Sequence, residues 1–266
     1  MKQGIKNPVL VETALLGRGL PSLDNNLINY LWPQAEISLP YVSEGIIKQG
    51  ALGEVLKARH RQDWKRIDAL TLQNLSQSEV SGYLTASALI KLALPFNIVV
   101  TAGMGGITGG RISKDLVTIA AKPVWFISSG FKDVIDAKAS LEYLKSHGVK
   151  VLGWKNPIYN GFIFANQGYS LDGVIEENNL KYIDFDNDKG VVIFNPVPAN
   201  LKLPNTRLLE LATEQMNIAR ENGEDFHPVV NKLLDQDTKG QSSLIQLLAL
   251  ISNINLALRF NAVLGG

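Results

Sequence analysis

The chain has 266 residues, 45% of them hydrophobic and 19% charged, with a formal net charge of +1 and a pI near 7.8. That length suits one large α/β domain or two small ones, and with no linker, low-complexity tract or internal repeat the chain reads as one domain, residues 1–266; the charge balance supplies no field that would draw nucleic acid or an anionic membrane. Cysteine is absent, which excludes disulfides, thiolate metal sites, iron–sulfur clusters and a cysteine nucleophile.

At the N-terminus Asn7, Pro8 and Glu12 interrupt the apolar core that a signal peptide needs, so the expected location is the cytoplasm. In chain order, strands are expected over residues 9–11 and 67–72, with a helix over 54–62 between them. A long helix is expected over 78–94, then a strand over 97–101, a helix over 114–121 and a strand over 124–128. Residues 132–147 read as a helix that stops at His147-Gly148, followed by strands over 150–153 and 191–194. Beyond Ala199 the pattern is helical: residues 207–222, 228–234 and 242–260. The most apolar stretch, residues 244–250, is too short for a membrane span and is followed by Ser252, Asn253 and Asn255, so it reads as a buried helix. The alternation of β-branched runs with helices predicts an α/β fold with a mixed sheet between helices.

Three segments carry chemistry. The first is Thr101-Ala-Gly-Met-Gly-Gly-Ile-Thr-Gly-Gly110, which follows an apolar strand and precedes a helix. Glycines there would let backbone N–H groups approach an anion. The dinucleotide fingerprint fails because Thr108 stands where its last glycine belongs, and the P-loop fails because Arg111 and Ile112 replace its lysine and hydroxyl residue. The second is Ser128-Ser-Gly-Phe-Lys132, at a strand end feeding a helix, where parallel α/β sheets place ligands. A lysine there, desolvated by Phe131 and Trp125, could act as a nucleophile; the alternative is a solvated lysine in a helix's first turn. The third comprises two carboxylates. Glu12 ends the first strand beside Gly17 and Gly19. Asp115 opens the helix after the glycine loop, either complementing the helix dipole or holding a Mg²⁺ or Mn²⁺ ion completed by waters. His60, His147 and His227 are scattered and read as surface residues.

The chain resembles the pseudouridine-5′-phosphate glycosidases, the indigoidine-synthase-A-like fold. The segments that carry the resemblance are Val11-Glu-Thr-Ala-Leu-Leu-Gly-Arg-Gly-Leu-Pro21, Thr101-Ala-Gly-Met-Gly-Gly106, Ile112-Ser-Lys-Asp-Leu116, Ser129-Gly-Phe-Lys-Asp-Val-Ile-Asp136, Leu141-Glu-Tyr-Leu144 with Gly148-Val149, and Asn195-Pro-Val-Pro198. They occur in the family's order from about Pro8 to the C-terminal helix, most weakly over residues 24–75.

The resemblance implies a three-layer α/β/α domain with a central mixed, largely parallel sheet and a helical C-terminal segment. It also implies a homotrimer that reversibly cleaves the C–C bond between uracil and ribose 5-phosphate. By the same resemblance Lys132 is the residue that forms a covalent adduct with the sugar, Glu12 shuttles a proton, and Asp115 binds Mn²⁺ (or Mg²⁺) largely through water. Thr101 and Ser113, with the N–H groups of Gly103, Gly105 and Gly106, correspond to the phosphate site, and Arg18 is a candidate contact.

Several positions depart from the family. Arg18 and Thr108 stand where it has histidines, and Gln73-Asn74 stand where it has an arginine–aspartate pair. Its phosphate-binding lysine has no basic counterpart in residues 67–75, although Lys65 and Arg66 lie just upstream; Asn253 and Asn255 match its asparagine-rich last helix loosely. Losing charged contacts weakens a phosphate site, and Arg18 and Arg111 are the candidate replacements. The substrate expected is a small nucleoside or sugar phosphate, with neither nucleic acid nor a membrane as partner. The alternatives are a C-glycoside synthase acting on a related sugar phosphate and a binding paralogue without turnover.

Overall fold

The computed structural model describes residues 9–75, 79–178, 188–204, 206–223 and 226–264. The expectations for residues 1–8 and for Ser78 lie outside the described residues.

Six parallel strands form the central sheet, in the order Val9–Val11, Ile98–Val100, Trp125–Ser128, Val191–Phe194, Lys150–Trp154, Gly173–Ile175. Side chains alternate strictly between its faces. Val9, Val11, Ile98, Val100, Trp125, Ile127 and Leu152 point to one face, where the helix Gln241–Leu264 packs with Leu247, Leu250, Ile254 and Phe260. Leu10, Val99, Phe126, Val151 and Val192 point to the other, against the helices Ala86–Leu92, Lys114–Ala121 and Ala137–Ser146. Both faces being buried explains why these strands are continuous apolar runs. The result is the three-layer α/β/α arrangement expected, with the larger sheet parallel throughout.

A second, mixed sheet is ordered Ile46–Gly50, Leu39–Ser43, Ser81–Leu84, Trp64–Ile67, its first two pairings antiparallel and its last parallel. It corrects two expectations. The strand expected over 67–72 ends at Ile67, because the Asp68 carboxylate accepts from Leu70 N and Thr71 N and starts the helix Ala69–Gln73. The helix expected over 78–94 is a strand, Ser81–Leu84, followed by the helix Ala86–Leu92. Thr13 joins the two sheets: its hydroxyl donates to Pro40 O at 2.9 Å and accepts from Leu84 N at 2.9 Å. That staple fixes the chain one residue beyond Glu12.

A third correction concerns Lys132. The helix expected from that residue begins at Ala137, capped by Asp136 accepting from Ala139 N. Lys132 therefore sits in the loop between strand and helix, away from the helix dipole. The desolvation expected from Trp125 and Phe131 is also absent from its immediate wall: Trp125 starts the strand that Lys132 follows and packs on Phe260 with ring centroids 5.8 Å apart, while Phe131 turns into the opposite core layer.

Candidate functional site

The first three strands of the central sheet are neighbours, and their C-terminal ends release three loops side by side. Glu12 follows the first, Thr101 to Gly106 the second, and Ser129 to Lys132 the third. The second and third loops run zipped together: Ser129 N donates to Ala102 O, Met104 N to Gly130 O, and Lys132 N to Met104 O at 2.8–3.0 Å. Behind them the buried Asn253 side chain donates to Thr101 O at 2.8 Å and to Ser129 Oγ at 3.0 Å. Asp133 fixes the far side of Lys132, its carboxylate accepting from the backbone N–H groups of Phe162, Ile163 and Phe164 at 3.0–3.1 Å. Burial pushes the Asp133 carboxyl up to about 6 although those donors pull it down.

Glu12 and Lys132 share a cavity of about 510 Å³, and Gly103, Gly105, Gly106, Ser113 and Asp115 line it with them. The Glu12 carboxylate is buried and accepts from the Thr101 hydroxyl. Burial raises its pKa, against the pull of Lys132, the Thr101 hydroxyl and Arg66. A carboxyl whose neutral form is favoured by burial can give up a proton as well as accept one.

The expected phosphate residues divide. Gly103 and Gly106 are glycines for close packing, since a Cβ would lie 2.5 Å from the Phe162 ring and 2.4 Å from Ser140 Oγ respectively. Gly105 N already donates to Asp115 Oδ2 at 2.8 Å, so the nearest anion to this N–H is the protein's own carboxylate. Ser113 caps the next helix, its Oγ accepting from Leu116 N, and still faces the cavity. Thr101 is fully buried behind Glu12 and positions that carboxylate; it is not on the cavity wall. Arg18 lines a smaller recess, and its Nη2 donates to the carbonyls of Arg61, Gln62 and Trp64, tying its helix to the second sheet. Gly109 and Gly110 leave the presumed anion loop altogether. With φ of +54° and +72° they form the two-residue turn of a hairpin, Ile107–Thr108 with Arg111–Ile112.

Other side chains reach the site, and of these Arg111 alone had been expected as a phosphate contact. Arg66, at the end of the second-sheet strand, lines the cavity where a phosphate-binding lysine had been expected further along, and Arg111 stands on its rim. His227, expected at the surface, is half-buried, with Nδ1 3.3 Å from Lys132 Nζ. Burial, then the charges of Lys132 and Arg66, hold its pKa well below the ordinary value. His60 and His147 are exposed, as expected. Gln246 and Asn231 line the recesses on the far side of Lys132, and the Gln246 Nε2 is buried without a hydrogen-bond partner among the described residues. Asn255 is exposed and takes no part. His227 and Gln246 come from helices far along the chain, and no local motif marked either.

Asp115 is partly exposed in the cavity with Oδ2 taken by Gly105 N, so a hard divalent ion there would find one protein carboxylate and would be completed by water.

Comparison with known proteins agrees with this architecture. A pseudouridine-5′-phosphate glycosidase from Thermotoga petrophila is 28% identical over 271 residues, covering 94% of this chain and 93% of the relative. One from Legionella pneumophila is 26% identical, covering 98% and 89%. Among solved structures, an indigoidine synthase A-like protein from Thermotoga maritima superposes with a TM-score of 0.79 at 21% identity, covering 98% of this chain and 94% of that one. The prealnumycin C-glycosynthase AlnA, solved with ribulose 5-phosphate, superposes with a TM-score of 0.71 at 19% identity over 97% and 92%. The family model for indigoidine synthase A-like proteins matches residues 41–262, and the chain belongs to that family.

Proposed function

We propose that this protein is a cytoplasmic enzyme that reversibly cleaves the C–C glycosidic bond of pseudouridine 5′-phosphate, or of a related C-nucleoside, through a covalent adduct between Lys132 and the sugar. The observation that carries the reading is the convergence of Lys132 and the buried Glu12 on one cavity at the ends of adjacent parallel strands. The relatives named for this activity support the substrate.

A carbon leaving group cannot depart as an alkoxide does, so a covalent route is chemically reasonable. In the synthetic direction the Lys132 amine condenses with the aldehyde carbon of open-chain ribose 5-phosphate and releases water. The iminium carbon so formed is attacked by a carbon of the base, which loses a proton, and the C4′ hydroxyl then closes the ring on C1′ and displaces the lysine amine. In the cleavage direction the Lys132 amine attacks C1′ as the C1′–O4′ bond breaks and O4′ takes a proton. The nitrogen lone pair then forms the iminium as the C–C electron pair moves to the base carbon, which is protonated, and water hydrolyses the iminium to the open-chain sugar and the free amine. Glu12 carries the proton that ring opening and base departure require.

Ser113, the Gly103 loop and the guanidinium groups of Arg66 and Arg111 are the groups for the phosphate. Gln246, whose Nε2 is buried without a hydrogen-bond partner among the described residues, offers a donor to a carbonyl of the base. Mn²⁺ (or Mg²⁺) would be held by Asp115 and waters, and when bound it would supply positive charge for an anionic substrate. The homotrimer implied by the resemblance belongs to the same proposal.

A second reading, C-glycoside synthesis with a larger aromatic partner, is favoured by one feature: Phe162, Phe164 and Phe226 line an apolar recess against Lys132. Uracil release from pseudouridine 5′-phosphate in the presence of Mn²⁺, followed by absorbance, separates the two. The main reading expects release that Lys132→Ala abolishes; no release from the phosphorylated or the free nucleoside rejects it.

A further inference from the structure

We propose that His227 is the proton acceptor of Lys132: Nδ1 takes a proton from the Nζ ammonium, which makes the amine nucleophilic, and later returns it to the hydroxyl that leaves. This rests on the reading of Lys132 as the nucleophile and adds a residue that neither the motifs nor the names of the relatives supply.

The geometry supports it directly. His227 lies in the first turn of the helix Phe226–Asp237 and lines the large cavity and the apolar recess that meet at Lys132. Its Nδ1 is 3.3 Å from Nζ, so accepting that hydrogen bond requires the tautomer with its hydrogen on Nε2. A helix N-terminus disfavours a cation, which keeps the resting imidazole neutral with its lone pair available. The charged groups sharing its cavities are Lys132 and Asp133 on the loop, Glu12, Arg66 and Asp68 at strand ends, Arg111 on the hairpin, Lys114 and Asp115 at a helix start, and Arg220 on the preceding helix. Glu12 also faces Lys132 electrostatically, with its carboxylate held by Thr101, and Asp133 is held by three backbone donors; the Nδ1 of His227 lies within hydrogen-bond reach of Nζ.

Moving the proton from Nζ to Nδ1 leaves the net charge of the cavity unchanged. Losing it to bulk water would strip a positive charge from beside Glu12. Part of what opposes protonation of His227 is the Lys132 charge itself, and that part vanishes as the proton crosses. The step balances. The ammonium gives one proton to Nδ1; the amine adds to the aldehyde carbon, and the addition product rearranges to a neutral carbinolamine. Imidazolium then protonates its hydroxyl, water leaves, and a lysine iminium remains beside neutral His227.

The test uses glycolaldehyde with cyanoborohydride in timed pulses and peptide mass mapping of Lys132, the other lysines serving as internal controls. Glycolaldehyde stands in for any sugar aldehyde, so the result does not depend on the natural substrate. General base assistance typically contributes about 10²–10⁴-fold, so at about pH 6.5 His227→Asn should label Lys132 slower by that order. The deficit should shrink as pH rises and solvent takes over the deprotonation. Exogenous imidazole should restore labelling in His227→Ala, which a purely structural role does not predict. Wild-type labelling in both variants, or a loss equal at every pH and deaf to imidazole, overturns the proposal. If ribose 5-phosphate leaves no adduct while glycolaldehyde labelling depends on His227 as described, the substrate reading falls and this inference stands.

Discussion

Asp133 makes a sharp test of how the loop bearing Lys132 is held. Its Oδ1 accepts from Phe162 N and Phe164 N, and its Oδ2 from Ile163 N. In Asp133→Asn the amide nitrogen takes the place of one oxygen and turns a donor toward a backbone donor. One orphaned buried N–H costs about 1–3 kcal/mol. Against this, the wild-type carboxyl titrates near 6 in the fold and near 3.8 when unfolded, so ionisation itself destabilises the fold. A gap of that size corresponds to about 3 kcal/mol. Because the folded pKa is raised, the carboxyl's favourable contribution is complete below the unfolded value and is lost as pH rises through the folded one. About 2 kcal/mol of the change falls between roughly pH 4.5 and 7.5. The asparagine does not titrate, so the difference between the two proteins isolates this group. Urea midpoints should show Asp133→Asn at its greatest disadvantage near pH 4.5 and recovering about 2 kcal/mol of it near pH 7.5. A difference that does not change with pH would refute the reasoning.

Other consequences follow from the same contacts. Thr101→Val removes the hydroxyl that donates to Glu12. A charge-assisted hydrogen bond is worth about 1.5–3 kcal/mol, so the Glu12 pKa should rise further and the acid limb of the activity profile should move up by about one pH unit or more. An unmoved limb would show that Glu12 does not titrate in turnover. Gly103→Ala places a Cβ 2.5 Å from the Phe162 ring. Overpacking of this kind costs about 1–3 kcal/mol, visible as a lowered Tm, and an unchanged Tm would mean that the ring yields freely.

How much of this could be read from the chain follows from where each element buries its side chains. The strands at residues 9–11, 124–128 and 191–194 are legible because both of their faces are covered, so that even alternate residues must be apolar. The second sheet is not. Its edge strand exposes Ile46 and Ile47, its neighbour contains Pro40, and Ser81–Leu84 runs directly into a helix whose apolar period masks it. Missing that sheet meant missing Arg66, which only its strand brings to the cavity.

The site divides in the same way. Glu12, Ser113, Asp115 and Lys132 lie within motifs at strand ends or helix starts, and the fold gathers them around one cavity. Thr101 and Gly105 are spent on Glu12 and Asp115, an outcome that only packing decides. His227 stands 95 residues from Lys132, and nothing local distinguishes it from a surface histidine. Its contact exists because the C-terminal helices fold back over the strand ends. Gln246 was hidden within an apolar run, where one polar residue among leucines reads as an interruption and not as a donor aimed at a ligand.

The measurement that bears most directly on the account is the mass of the intact protein after incubation with ribose 5-phosphate, Mn²⁺ and borohydride, followed by peptide mapping. The account predicts one reduced pentose phosphate per chain, located on Lys132 and lost in Lys132→Ala. An unmodified protein, or a sugar carried on another lysine while Lys132 stays unmodified, would contradict it.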